Sequence, residues 1–493
     1  WQALFGINLR CHHLSWYTMA GEAKRDYPAS IFFQSGWWRD YRFVEDYFAR
    51  VNTLLAQGKP ACDVLVLNPI ESVWSQVGIG WADGLSAKAK DIQALEKAYS
   101  DLFFFLAGSH IDFDYGDEEM FGRLCRVDRD GDTPVLRFGQ ADYRAVVVPK
   151  MTTIRSTSLK LLEDFQNAGG KVIFAGDAPG YVDVVKSNAP ADLAAKATQV
   201  PWKRDALANA LNPTLRVPVE IVNAKGDAVE DIFCQVRDTG AAKILVAINT
   251  SPKADRLGVT LRIKADGAVS EWNGLTGERT AVDAAAKDGW LEFTADFLPS
   301  GDHAYVISKE PLPGIAPAVK LSEDSHQICD GPFDYTLNEP NVCVLDIADY
   351  QLDANPVQTD TEILKIDRAV RTAFGLPLRG GEMVQPWYSK KFAAKPEVKG
   401  KLSIVFHVNV DMKPSEPVQL ALEEPGNYTI TLNGHPLDAA IAGWWVDPAI
   451  QTFAIPPDKF ITGDNHIELR AGFREDMNLE AIYLLGKFGV TLD

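Results

Sequence analysis

The sequence predicts a multidomain protein, α/β in its first part and all-β in the rest. Three observations carry this. The chain has 493 residues, more than one hydrophobic core sustains. Between about 60 and 200, continuous apolar runs alternate with amphipathic helical stretches. Beyond about 200 the helical period gives way to short strand-like runs separated by turn residues.

The chain opens on "LFGINLRC" (4–11), which reads as a short buried strand. His12, His13, Trp16, Tyr17, Lys24, Arg25 and Asp26 follow it closely. A strand whose carboxyl end opens into a polar and aromatic cluster is how an active-site loop of an α/β barrel is built. Residues 1–58 are therefore expected to be the C-terminal βα part of a (β/α)8-type barrel. Left uncovered, a strand that is apolar on both faces would aggregate, so it should pair with strands of an N-terminal barrel portion missing from this sequence. The helix of this unit is predicted from Phe43, Val44, Tyr47, Phe48, Val51, Leu54 and Leu55, with Trp37-Trp38 at its start and Gly58 as its stop.

Residues 59–200 read as a doubly wound α/β domain of flavodoxin-like size. "DVLVLNP" (63–69), "HIDFDYGD", "YRAVVVPK" (143–150) and "KVIFAGDAP" are its strands. "DIQALEKAYSDLFFFLAG" (91–108) and "STSLKLLEDFQNAGG" (156–170) are helices, the second with a Ser or Thr cap and a double-glycine stop. Such a sheet can host a glutamine-amidotransferase nucleophile, but here the third strand ends Pro149-Lys150-Met151 and supplies no Cys or Ser elbow. The domain is expected to be amidotransferase-like and non-catalytic, serving structure or an interface. Residues 201–312 predict a small antiparallel β-sandwich, 313–339 a Pro-rich linker, and 340–493 a jelly-roll sandwich.

The net charge of −18 argues against nucleic acid or an anionic membrane as partner. The apolar run LFFFLAG is far short of the roughly 18 residues of a membrane span. Cys11, Cys62, Cys125, Cys234, Cys329 and Cys343 form no CxxC, so no thiolate metal site is expected. Buried free thiols are favoured, with a Cys329–Cys343 disulfide as the alternative. "DRDGD" (128–132) resembles the start of a calcium loop, but Thr133 and Gly139 stand where Gly and Glu are required, and a hairpin turn is preferred. The sequence also has no GxSxG, HExxH, P-loop or GxGxxG after a strand.

Two groups of residues are candidates for sugar contact. On a strand, His12 and His13 point to opposite faces, so only one can serve a site. Tyr17 and the Lys24-Arg25-Asp26 run would hold substrate hydroxyls, or else organise the loop by ion pairing. Trp37-Trp38 and Trp444-Trp445 could present indole faces to sugar C–H groups, or else pack in a core.

The run from "INLRCHHLSWYTMAGEAKRDYP" to "VLVLNPIESVW" resembles the late-barrel segment and following domain of large bacterial glycoside hydrolases, in particular the α-L-rhamnosidases of glycoside hydrolase family 106. The matching positions are His13-Leu14, Tyr17, Gly21 and Lys24-Arg25-Asp26-Tyr27-Pro28. "VLVLNPIESVW" is similar to the trimer-forming domain of family 42 β-galactosidases. "VQPWY", "LNGHPL", "GWWVD" and "EAIYLLGKFGV" resemble the sugar-binding domain of family 2 enzymes.

The resemblance implies an exo-acting hydrolase that cleaves terminal glycosidic bonds of plant or microbial glycans with inversion. Two carboxyl groups would then lie about 6.5–9.5 Å apart to admit a water. At least one of them would come from the missing barrel, so no catalytic residue is assigned here; Glu22 falls where the family varies. It further implies an oligosaccharide or glycoside substrate, calcium in the full-length enzyme with none held by this chain, and a homo-oligomer. A periplasmic or secreted location is expected, with a cytoplasmic one left open because the chain begins at Trp1 without a visible leader. The alternative function is a non-catalytic carbohydrate-binding or scaffolding protein.

Overall fold

The computed structural model describes residues 1–13, 15–25, 31–84, 86–317, 327–379, 391 and 396–491. They divide into two units, Trp1–Arg10 with Phe43–Asp324, and Cys11–Arg42 with Ser325–Asp493.

The first unit does not begin with the expected strand. Gln2–Phe5 is a single 3-10 turn, closed by Gly6 at φ 93, and no strand follows it. A strand must pass its N–H and C=O groups to a neighbour, and none of the described strands pairs with residues 4–11. Leu4 alone is buried, against Val51, Leu54 and Leu55, while Ile7 and Leu9 are exposed. Helix α1 (Tyr41–Leu55) buries the face carrying those three residues. It starts after Trp37 and Trp38, which lie in the preceding turns. Gly58 ends the segment at φ 54, where a Cβ would meet the Asp238 carbonyl oxygen at 2.1 Å, so both conformation and space demand glycine.

A five-stranded parallel sheet follows, made of β1 (Val64–Leu67), β2 (Phe113–Gly116), β3 (Ala145–Val148), β4 (Lys171–Ala175) and β5 (Thr198–Val200). In space the order is β5-β4-β3-β1-β2. Every residue of β1 and β3 is buried, because helices cover both faces. Leu102 and Leu106 of α2 (Lys90–Ala107) pack one face with Leu207 and Leu211 of α5 (Arg204–Leu211). Phe121 of α3 (Glu118–Leu124) packs the other, with Leu159, Leu162 and Phe165 of α4 (Ser156–Asn167). The cap of α4 is not Ser or Thr: the Asp183 carboxylate accepts the Ser156 N–H at 3.0 Å. Residues 125–138 form a hairpin whose turn carries Gly131, as preferred for "DRDGD".

Two antiparallel sheets then close over a common core. β6 (Val219–Val222), β9 (Arg256–Ile263) and β11 (Trp290–Phe297) lie in one. β7 (Ile232–Asp238), β8 (Ala242–Asn249), β10 (Ala268–Trp272) and β12 (Asp302–Ser308) lie in the other. Ile221, Leu245, Leu261, Phe297 and Tyr305 fill the space between them.

The second unit is likewise built on two antiparallel sheets. β13 (Asn341–Leu345), β17 (Val418–Glu423), β19 (Gly443–Trp445), β20 (Asp447–Ile455) and β22 (Ile482–Gly486) form one. β14 (Ile347–Leu352), β15 (Gln358–Glu362), β16 (Gly400–Val410), β18 (Thr429–Leu432) and β21 (Gly463–Phe473) lie in the other. Phe406, Phe453 and Phe473 occupy the core, joined by Ile366 and Val370 of α6 (Ile363–Ala373). All six cysteines are free, Cys11 and Cys329 exposed among them. No helix among the described residues is long and apolar enough to cross a membrane.

Candidate functional site

Several residues singled out in the sequence lie in the second unit, where described residues of the segment 11–42 are tied to the β-sandwich. Its anchor is a set of four cations and four carboxylates, buried at Arg371, Asp367 and Glu480 and partly buried elsewhere: Lys24, Arg25, Arg371 and Arg379 with Glu22, Asp367, Glu423 and Glu480. Lys24 pairs with Glu423 and reaches Glu480 at 3.1 Å. Arg25 forks onto both oxygens of Glu480, one contact at 2.9 Å, and touches Glu22 at 3.1 Å. Arg379 joins Glu480 and Asp367, each at 3.0 Å. Arg371 ties Asp367 to the backbone carbonyls of Glu475 and Met477.

The net charge of this cluster is zero, as buried ions require. Burial, then the neighbouring Glu480 charge, raises the Glu423 carboxyl above its ordinary range despite Lys24. Glu480 is equally desolvated, yet Arg25, Lys24 and Arg379 together hold it below its ordinary range. Gly21 completes the anchor by donating its N–H to Glu423 at 2.7 Å. It sits at φ 50, where a Cβ would strike the Asn478 side chain. Lys24 and Arg25 thus pair with carboxylates of the sandwich and, for Arg25, also with Glu22 in the loop itself.

A second tie is made by β20, the strand paired with β17. Buried Asp447 accepts from Thr18 and from the Gln34 amide, each at 3.3 Å, and from the Ala449 N–H at 2.9 Å. Beside this tie Phe33 meets Trp444, on the edge strand of the same sheet. The outcome is a run of rings on the surface. Phe33 stands edge-on to Trp444 at 6.2 Å, Phe32 to Phe33 at 4.9 Å, and Trp38 to Phe32 at 6.3 Å. Trp37 contacts Tyr41, whose hydroxyl lies 2.7 Å from the His12 ring. Phe32, Trp37, Trp38 and Trp444 each expose between 40% and 53% of their surface.

The two members of the second Trp pair separate. Trp445 packs on Tyr483 at 4.9 Å and belongs to a small cluster with Ile450 and Leu485, while Trp444 faces outward. Tyr17 is exposed, and so is His13, placed one residue beyond the His12–Tyr41 contact. Asp26 and "VQPWY" lie outside the described residues. Sequence reasoning missed Phe32, Phe33, Gln34 and Asp447. The density of aromatics in "IFFQSGWWRDY" was the available signal.

Fold and site together define a multidomain protein, part α/β and part β-sandwich, with a supported aromatic platform on its second unit. No family model matches the chain, and no curated protein matches it. Among solved structures it is similar to a rhamnosidase from Novosphingobium sp. PP1Y, at 14% identity over 91% of this chain and 41% of that one, with a TM-score of 0.39. It is also similar to an exo-carrageenase GH42 from Bacteroides ovatus, at 15% identity, 55% and 31% coverage and a TM-score of 0.33. A third is the alpha-L-fucosidase isoenzyme 2 from Paenibacillus thiaminolyticus, at 13% identity, 56% and 52% coverage and a TM-score of 0.33. The chain spans less than half the length of the rhamnosidase.

Proposed function

We propose that this chain is the C-terminal portion of an exo-acting, α-L-rhamnosidase-like glycoside hydrolase, and that its own part in that enzyme is to bind sugar. The aromatic platform carries the reading. Partly exposed rings, with Gln34 beside Phe33 tied to buried Asp447, can offer indole and phenyl faces to the C–H groups of pyranosides. The resemblance of the His13 to Pro28 run to family 106 supports the hydrolase assignment. With it go the finer readings: a barrel contribution from the first 58 residues, a flavodoxin-like domain, a terminal jelly-roll, calcium in the full-length enzyme, and a periplasmic or secreted oligomer.

Residues 1–493 alone should hydrolyse no aryl α-L-rhamnoside above background with calcium present, yet should be retarded in a gel containing a branched, rhamnose-bearing glycan. Strong turnover would place the catalytic pair within these residues. Neither turnover nor retardation would remove the sugar-binding reading. In the full-length enzyme, His13→Ala should lower turnover far more than melting temperature. A second reading, a non-catalytic carbohydrate-binding protein, is favoured by one observation: Glu22, Glu423 and Glu480, which reach the motif's Lys24 and Arg25, are all taken up in ion pairs. Turnover by the polypeptide at its native length decides between the two.

A further inference from the structure

The first unit holds a cleft of about 650 Å³ at the carboxyl edge of its parallel sheet. Its position follows from topology. In the spatial order β5-β4-β3-β1-β2, the chain runs outward in opposite directions from β1 and β3. The connections leaving these neighbours diverge, and the crevice between them is where open α/β sheets bind ligands. Here Ser75 and Gln76, beyond β1, face Lys150 and Thr152, beyond β3, while Asp177 and Tyr181 follow β4. Asp91, at the start of α2, closes the outer side.

The walls are built in advance. Buried Ser72 accepts the N–H groups of Thr152 at 2.9 Å and Thr153 at 3.2 Å. The Gln76 amide bridges the Ser72 carbonyl at 2.8 Å and the Thr152 hydroxyl at 3.4 Å. Across the mouth, Thr153 accepts the N–H of Val184 at 3.0 Å. That bond holds Asp183 and Val184 at φ 46 and φ 66, a left-handed pair containing a β-branched residue. Such backbone costs free energy and persists where the surrounding structure enforces it.

We propose that this cleft is a binding site for a small, neutral, hydroxyl-rich ligand, a monosaccharide or short oligosaccharide, separate from the aromatic platform. Its chemistry selects that class. Among the described residues, no hydrogen bond or ion pair engages the carboxylates of Asp91 or Asp177, which are left to accept from hydroxyl donors. The Lys150 ammonium, 4.8 Å from the centre of the Trp202 ring, supplies a donor. Thr152 and Ser75 add hydroxyls, and the half-exposed Tyr181 adds an aromatic face. A phosphate would meet two carboxylates for one ammonium, so an anion is disfavoured. The volume falls within the roughly 300–1,000 Å³ of small-molecule sites.

The test is titration calorimetry on the full chain with L-rhamnose, D-galactose and D-glucose, and with inorganic phosphate and putrescine as anionic and cationic probes. At least one sugar should bind saturably. Asp177→Asn, which is isosteric, and Tyr181→Ala, at a half-exposed position, should each weaken that binding about tenfold or more, with unchanged melting temperature. In a Trp444→Ala background, where any binding at the aromatic platform is removed, a saturable sugar isotherm sensitive to Asp177→Asn and Tyr181→Ala should persist. Sugar binding that is lost with Trp444→Ala and indifferent to Asp177 and Tyr181 would overturn this site while sparing the aromatic platform. Tighter binding of phosphate or putrescine, or no saturable sugar binding at all, would also overturn it.

Discussion

His110 should make the first unit acid-sensitive. It follows α2 at φ 61, and its ring is buried against the first sandwich sheet. The Ile221 N–H points at Nδ1 at 3.4 Å, and Nε2 lies 3.2 Å from the Val229 carbonyl oxygen. This pairing is satisfied only by the neutral ring with its proton on Nε2. A proton added at Nδ1 would face another N–H. Burial, with the Arg204 charge adding to it, lowers the imidazole to about 4 from its ordinary 6.5, against the pull of the Val229 carbonyl. Between those values the unfolded chain binds the proton and the folded one does not. Stability from this residue is therefore complete above about pH 6.5 and falls as pH drops towards 4, by about 3 kcal/mol at 1.4 kcal/mol per pH unit.

His110→Asn removes the titration while tolerating the left-handed backbone. At pH 8 the variant should be less stable by about 1–2 kcal/mol, for two lost hydrogen bonds. Near pH 4.5 the difference should vanish or reverse. The assay is equilibration in urea at each pH, a brief exchange pulse at one fixed pH, and mass spectrometry of peptides covering 219–229. A wild-type-minus-variant difference that stays constant from pH 8 to about 4.5 would refute the reasoning.

Asp112 should act in the opposite sense, since burial and then the Asp114 charge raise it to about 7 and leave Oδ2 without a hydrogen-bond partner. The folded chain keeps that proton after the unfolded chain has lost it, so Asp112→Asn should stabilise by about 2–4 kcal/mol above pH 7 and by little near pH 4, in the same urea series. In the second unit, Glu480→Gln leaves Lys24, Arg25 and Arg379 short of a carboxylate and should cost about 3–5 kcal/mol of unfolding free energy at pH 7; a loss below about 1 kcal/mol would show that the anchor carries no weight. Trp444→Ala should abolish retention on a rhamnose-bearing glycan with under about 1 kcal/mol of stability lost, whereas Trp445→Ala should cost about 3 kcal/mol by unpacking Tyr483. Equal losses in both would make the pair a packing feature.

What the sequence made legible follows from how far each signal reaches along the chain. "VLVL" announces a strand covered on both faces because each of its four residues must be apolar when helices lie on either side, and all four are fully buried. "LFGINLRC" carries the same local signature and fails, because a strand is completed by a partner that the segment itself does not encode. The candidate residues divide in the same way. Trp444 and Trp445 look equivalent as letters, but the pairing of β19 with β20 shifts register between them, and one ring meets Tyr483 while the other stays outside. Lys24 and Arg25 could be weighed only as sugar ligands or as local ion pairs, since their main partners, Glu423 and Glu480, lie 399 and 455 residues away. That distance bears on the site itself. A loop tied to its sandwich by buried charge keeps its shape only while every member of the set is present. The expectation is that the setting of Phe33 beside Trp444 depends on Glu480, a residue that touches neither ring, in addition to the nearer Gln34–Asp447 tie. Binding at the platform should fall in Glu480→Gln even where the protein remains folded, and Trp444→Ala combined with it should add little further loss.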